Sequence, residues 1–266
     1  MVRLLRSDFY RLFKSKSFYI CTIVAMFVVS GSAFLMEWSY RMMSSSTDAS
    51  VSVAAASQLF QDGITYGLSI FYGGNSLLYI AIITAIFVTS EFVFGTMKNA
   101  VSKGFPKYQI YLSKLITMTA TTFILVLLMF IAATISATII TGEIGTFTWT
   151  YTGQILIMIG VELILHAALT AVFVMIANTV RNNGGVIAIN IIGILTFAPL
   201  IYVALEMLFK NKVKFSIYGV QNNMMLFAQN IAPPSEDILR AILVGVSFFA
   251  ITTALGIFAF NKMDVK

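Results

Sequence analysis

Apolar residues fall into six long blocks, over about 18–36, 68–90, 115–140, 154–177, 186–205 and 238–260. Each reaches or comes within a residue of the roughly 20 positions that a helix needs to cross a hydrocarbon core. The blocks are too long and too continuously apolar for the alternating strands of a β-barrel. An open sheet would leave edge N–H and C=O groups unpaired in lipid. The pattern predicts an all-α polytopic membrane protein in which residues 1–266 form a single transmembrane domain of six helices.

The polar stretches between the blocks differ in kind. Residues 2–16, VRLLRSDFYRLFKSK, place Val2, Leu5, Phe9, Leu12 and Phe13 on one helical face and Arg3, Arg6, Tyr10 and Lys14 on another. A basic amphipathic helix of this type lies in the headgroup plane. Residues 1–17 are therefore predicted to be interfacial, with Arg3, Arg6, Phe9, Arg11, Phe13 and Lys14 as the contact residues. The alternative is a plain basic flank that only orients the chain. The first apolar run exceeds the usual core of a signal peptide, so no cleavage is expected.

Two longer segments, 37–67 and 206–237, are predicted on the outer side. The first is acidic, and Val51–Phe60 could form a short helix within it. The second mixes Lys210, Lys212 and Lys214 with apolar patches such as Met224–Phe227, which suggests helices dipping into the interface. Gly73 and Gly74 in the second block permit a kink or close packing.

Composition agrees with the pattern. The chain is 59% hydrophobic and 11% charged, against about a quarter charged in soluble domains. The net charge of +6 does not point to nucleic acid, because the basic residues gather in segments flanking the blocks. With both termini inside, twelve of the 17 Lys and Arg residues fall on the cytoplasmic side and five outside, the bias of the positive-inside rule. The expected location is the cell membrane, multi-pass, with both termini cytoplasmic. Cys21 lies inside an apolar block and offers neither a disulfide nor a metal pair.

The segment 91–114, EFVFGTMKNAVSKGFPKYQIYLSK, is the basic connection between the second and third blocks. A short helix through Thr96–Lys103 is expected to stop at Gly104, with Pro106 in the first turn of the next helix. Phe92, Phe94 and Met97 give the segment an apolar side. It is either an ordinary connector or a docking element for a soluble protein.

Chemistry is sparse. No GxxxxGK[ST], GxSxG, HExxH or CxxC occurs, so the chain is not expected to hydrolyse nucleotide or to act as an enzyme by itself. Glu162 and His166 stand four residues apart inside the fourth block and share a helix face. Ionisable groups in a span are costly and mark a pathway or a buried pair. They are candidate pathway residues, or a self-satisfied pair at a helix contact.

The whole chain resembles the permease subunits of ABC-2 type ABC transporters, the six-span kind of Gram-positive bacteria. The opening LLRSDFYRLFKSKSFYI and the segment Glu91…Gly95-Thr96…Lys98-Asn99…Gly104…Lys107…Ser113-Lys114 carry the likeness. The resemblance implies an ABC-2 (type V exporter-like) transmembrane fold. It also implies a coupling helix that engages a soluble ABC ATPase through Glu91, Phe92, Phe94, Gly95, Thr96, Met97, Lys98 and Lys107. The family often has Arg at the position of Lys107. ATP would be bound by that partner, and a second permease subunit, identical or a paralogue, would complete the pathway. The segment before the sixth span would form re-entrant helices. The expected cargo is an amphipathic peptide of antimicrobial or bacteriocin type, a hydrophobic drug or a lipid-like molecule. The alternative function is a proton-coupled secondary transporter using Glu162 and His166. Membrane lipid is the remaining expected partner, and no nucleic acid is expected.

Overall fold

The structure is a computed structural model, and it describes residues 1–44, 62–72, 75–145, 148–210, 212, 214–229 and 233–263. Among the described residues there are helices and no strands. In chain order they are α1 (Val2–Lys14), α2 (Lys16–Ser44), α3 (Gly63–Tyr72), α4 (Asn75–Val93), α5 (Thr96–Ser102), α6 (Lys107–Thr141) and α7 (Trp149–Val180). Next come α8 (Asn183–Ala188), a π-helical stretch (Ile189–Phe197) and α9 (Ala198–Leu208), which continue one another. A 3₁₀ turn (Ser216–Tyr218), α10 (Val220–Gln229) and α11 (Ser235–Lys262) complete the chain.

Among the described residues, six helical segments are long and apolar enough to cross a membrane: Lys16–Ser39, Ser76–Val93, Lys107–Thr141, Tyr151–Val180, Asn183–Leu208 and Ser235–Lys262. This is a multi-pass membrane protein. Its outer surface is apolar, as lipid requires: Ile20, Ile23 and Phe27 on α2 and Leu243, Ile251 and Phe258 on α11 are all exposed. Asn183–Leu208 is the least enclosed span, with only 11% of its apolar window buried.

α6 and α7 form the centre. α6 packs on α1, α2, α3, α4, α7 and α11, while α7 packs most extensively on α11 and also on α4 and α10. Small residues bring the backbones together. A Cβ on Gly245 of α11 would lie 2.8 Å from Ile164 Cγ2 of α7, and one on Gly256 would overlap the Tyr111 hydroxyl of α6. Membrane helices associate through such close approach, because lipid gives them no hydrophobic drive.

Several predicted boundaries shift. The second block is not one helix over 68–90: α3 ends at Tyr72 and α4 starts at Asn75. The helix start belongs earlier, at Gly63, because Gly63 and Gly67 give α3 a smooth side that fits the Thr134 and Thr138 side of α6. The connection 91–114 is shorter than expected, since Lys107–Lys114 are the first two turns of α6. Pro106 sits just before that helix at its cap, with φ −64 and ψ 140, rather than inside its first turn. Glu37–Ser44 extend α2 out of the predicted segment 37–67. The possible helix at Val51–Phe60 and the pair Gly73–Gly74 lie outside the described residues.

The segment 206–237 is organised by polar side chains. Glu206 accepts hydrogen bonds from Ser216 N at 2.8 Å and Ser216 Oγ at 2.6 Å. Asn223 donates to the carbonyls of Ile217 and Gly219, each at 2.8 Å. These bonds turn the chain back, so that α10 packs on α3, α7 and α11 through buried Val220 and Met224.

The π-helical stretch has no counterpart in the sequence reading. Thr196 Oγ1 donates to the Ile191 carbonyl five residues back at 3.2 Å. Asn190 is fully buried there, and its amide has no hydrogen-bond partner among the described residues.

Candidate functional site

Helices α1, α5 and the ends of α4, α6 and α11 meet at one end of the bundle. α1 reaches it as a stripe: Leu4, Asp8 and Leu12 recur every four residues and turn toward the bundle. Glu91, in the last turn of α4, is buried and pairs with both Arg11 of α1 and Lys114 of α6. Asp8 accepts a hydrogen bond from Ser113 Oγ at 2.6 Å and lies 4.0 Å from Lys114 Nζ. The Arg11 guanidinium also stands 4.1 Å from the centre of the Phe87 ring. Two acids and two bases thus form one neutral cluster at the junction of three helices. Lys114 is 1% exposed. Alone there it would be costly to bury, and only the alternation of signs around it makes the arrangement tenable.

α5 is held against this cluster. Gly95 adopts φ 66, a left-handed turn that glycine takes without strain, and lets the chain leave α4 and start α5 at once. Thr96 Oγ1 donates to the Glu91 carbonyl at 3.4 Å, and Met97 is buried. Thr96, Lys98, Asn99, Ser102 and Lys103 face outward, and Val93 and Phe94 beside them are exposed as well. Gly104, with φ 79, ends the helix. The short helix read from the sequence over Thr96–Lys103 is therefore present as Thr96–Ser102.

The proposed contact residues of this segment divide into two groups. Phe94, Thr96 and Lys98 point outward. Glu91, Phe92, Met97 and Lys107 are engaged within the chain. Phe92 carries Arg181 over its ring at 5.2 Å. Lys107 donates from Nζ to the carbonyls of Asn261 at 3.1 Å and Met263 at 2.6 Å, where it caps the end of α11. A flexible ammonium with three donors suits these two carbonyls, and lysine near a helix C-terminus is favourable. On α1, Leu12 is buried and Arg11 is drawn into the ion pair, while Val2 and Phe13 of the predicted apolar face are exposed.

Asp8, Ser113 and Lys114 were not singled out as site residues from the sequence. The signal was present: Asp8 is the one acid in the basic stretch 2–16, and Lys114 directly abuts the apolar block that starts at Leu115.

A second polar group lies deep in the bundle. Glu162 and His166 of α7 are both fully enclosed. His166 Nε2 is 2.9 Å from Ser76 Oγ of α4, and its Nδ1 is 2.8 Å from the Glu162 carbonyl. The Glu162 carboxylate stands 3.7 Å from His166 Nδ1, and neither oxygen has a hydrogen-bond partner among the described residues. The expected pair is thus adjacent, and the two ring nitrogens also lie within hydrogen-bond distance of a backbone carbonyl and a serine. Among the described residues no cluster of three or more His, Cys, Asp or Glu could hold a metal ion.

No protein-family model matches the chain, and no curated protein does.

Proposed function

We propose that the chain is the transmembrane permease subunit of an ATP-driven exporter of the ABC-2 type, with a soluble ABC ATPase as its energy source. The observation that carries this reading is α5, a short helix anchored by Met97 and the Glu91 cluster with a basic, polar face turned outward. Motion imposed on such a helix passes to α1, α4 and α6 together, because their charges share one cluster. The topology expected from the sequence assigns twelve of the 17 basic residues to this side, so it faces the cytoplasm in this proposal. A second permease subunit would complete the pathway, and the exposed span Asn183–Leu208 provides a surface for it. An amphipathic peptide, hydrophobic drug or lipid-like molecule remains the proposed cargo, since the spans hold few fixed charges for a small ion.

The first test asks whether the neighbouring reading frame encodes a soluble protein with a GxxxxGK[ST] stretch. Co-expressed, the two should purify together, and Lys98→Glu with Lys103→Glu should weaken the complex at least tenfold, roughly the effect of placing like charges across an interface. Unchanged co-purification and unchanged ATPase stimulation by the double variant would remove α5 as the docking element.

A second reading is favoured by the enclosed Glu162 carboxylate, which has no hydrogen-bond partner among the described residues and stands 3.7 Å from His166 Nδ1; it could carry a proton in a gradient-driven transporter with His166 and Ser76. Glu162→Gln with His166→Ala should then reduce transport in vesicles about 100-fold, the scale of losing a positioned acid–base group, while the helical content stays unchanged. Transport at the wild-type rate by the folded double variant would end this reading.

A further inference from the structure

A cavity of about 770 Å³ opens at the same end of the bundle, between α1, the first turn of α2 and the last turns of α4. Two helix faces line it. On α4 they are Ile83, Ile86, Phe87, Ser90 and Val93, spaced as one face of a helix. On α1 they are Ser7, Tyr10, Arg11 and Lys14, spaced in the same way. The α4 face spans about 15 Å at 1.5 Å per residue; it is apolar from Ile83 to Phe87, carries a hydroxyl at Ser90 and is apolar again at Val93.

The mouth has a definite charge. Arg11 and Lys14 line the cavity and no acid among the described residues does; Arg11 is paired with Glu91, so Lys14 is the uncompensated cation of the two. Lys14 holds its ammonium 4.8 Å from the Tyr10 ring centre, at the rim. The Arg11 Nε is buried and has no hydrogen-bond partner among the described residues. Ser15 and Ser17 stand at the start of α2. The first N–H groups of a helix lack intrahelical acceptors, and they favour an anionic oxygen. A slot that is apolar at depth and cationic at the headgroup level fits a molecule with the same gradient.

We propose that this cavity holds one phospholipid with an anionic headgroup, drawn from the leaflet at the α1 end. Its phosphate sits against Lys14, Ser15, Ser17 and the first turn of α2. One acyl chain lies along Ile83, Ile86 and Phe87. The lipid is a resident part of the structure rather than cargo, and it bridges α1 and α4 next to the Glu91–Arg11 pair. The proposal does not depend on the transport reading.

Native mass spectrometry of the full, delipidated chain in detergent tests it, with dioleoyl phosphatidylglycerol, dioleoyl phosphatidylcholine and glycerol 3-phosphate as probes. One phosphatidylglycerol should bind about fivefold more tightly than phosphatidylcholine, the scale of one lysine near an anionic surface. Lys14→Ala, an exposed position, should abolish that preference, and Ile86→Trp should reduce retention of both lipids by filling the wall. Equal retention of the two lipids, or a preference untouched by Lys14→Ala, overturns the proposal. Displacement of the lipid by glycerol 3-phosphate at matched concentration also overturns it, by assigning a free-phosphate site. If Ile86→Trp does not fold, the lipid comparison and Lys14→Ala decide the matter.

Discussion

Replacing Glu91 by alanine should destabilise the protein by about 3–5 kcal/mol, the cost of leaving a buried partner charge uncompensated. Lys114 loses its closest anion and is left almost fully enclosed, with Asp8 at 4.0 Å as the only acid paired with it among the described residues. Arg11 loses its anchor as well, so α1 should detach before the rest of the bundle unfolds. The control is the pair Glu91→Gln with Lys114→Met. Removing both charges at once should recover most of the loss at Lys114, because neither member of the buried pair is then left charged without its partner. Thermal unfolding in detergent and proteolysis near residue 15 measure the two effects. An alanine variant within about 1 kcal/mol of wild type, the range of an exposed ion pair, would mean that water reaches the cluster and that it does not bind the helices together.

Gly256→Ala is the second large effect expected, about 1–3 kcal/mol, from overpacking at the α6–α11 contact. The added Cβ overlaps the Tyr111 hydroxyl, and Tyr111 is fully buried against Phe260, with the two ring centres 6.2 Å apart. The contact has little room to give, since Lys107 ties the same two helices together one turn away. Tyr111→Phe supplies the control. Its hydroxyl has no hydrogen-bond partner among the described residues, so removing it should be close to neutral in the wild type. In the Gly256→Ala background it should restore stability, because the clashing atom is gone. A double-variant cycle of unfolding free energies reads this coupling directly. Additive effects would show that the helices separate at Gly256 for another reason.

The two contacts lie on opposite sides of the start of α6. Lys114 and Ser113 face α1 and α4, while Lys107 and Tyr111 face α11. The first two turns of α6 therefore hold three neighbours at once. A force applied to α5, which α6 follows after only four residues, acts on the best-connected point of this end. This is the physical content of the coupling proposal, whichever cargo is moved.

How much was legible differs by residue. The short helix α5 could be read because its limits are local: Gly95 and Gly104 adopt positive φ at its two ends. Glu162 and His166 could be placed side by side from their spacing alone. Ser76 could not, since it is 90 residues from His166 and reaches it only through the packing of α4 on α7. Lys107 and Lys114 are both lysines of the connection 91–114, yet one caps α11 and the other is buried with two acids. Charge type is local, but the partner of a charge is not.

The sequence by itself determined the six spans, because hydropathy over about 20 residues is a property of the segment and not of its neighbours. It also determined which end of the bundle is basic. Only the tertiary structure decided where the helices break, which glycines face a neighbour, and which charges face inward. Asp8, Arg11, Glu91 and Lys114 come from three separate stretches of chain. Each is unfavourable to bury alone, so no local preference encodes their meeting. They are stable there because folding brings all four together.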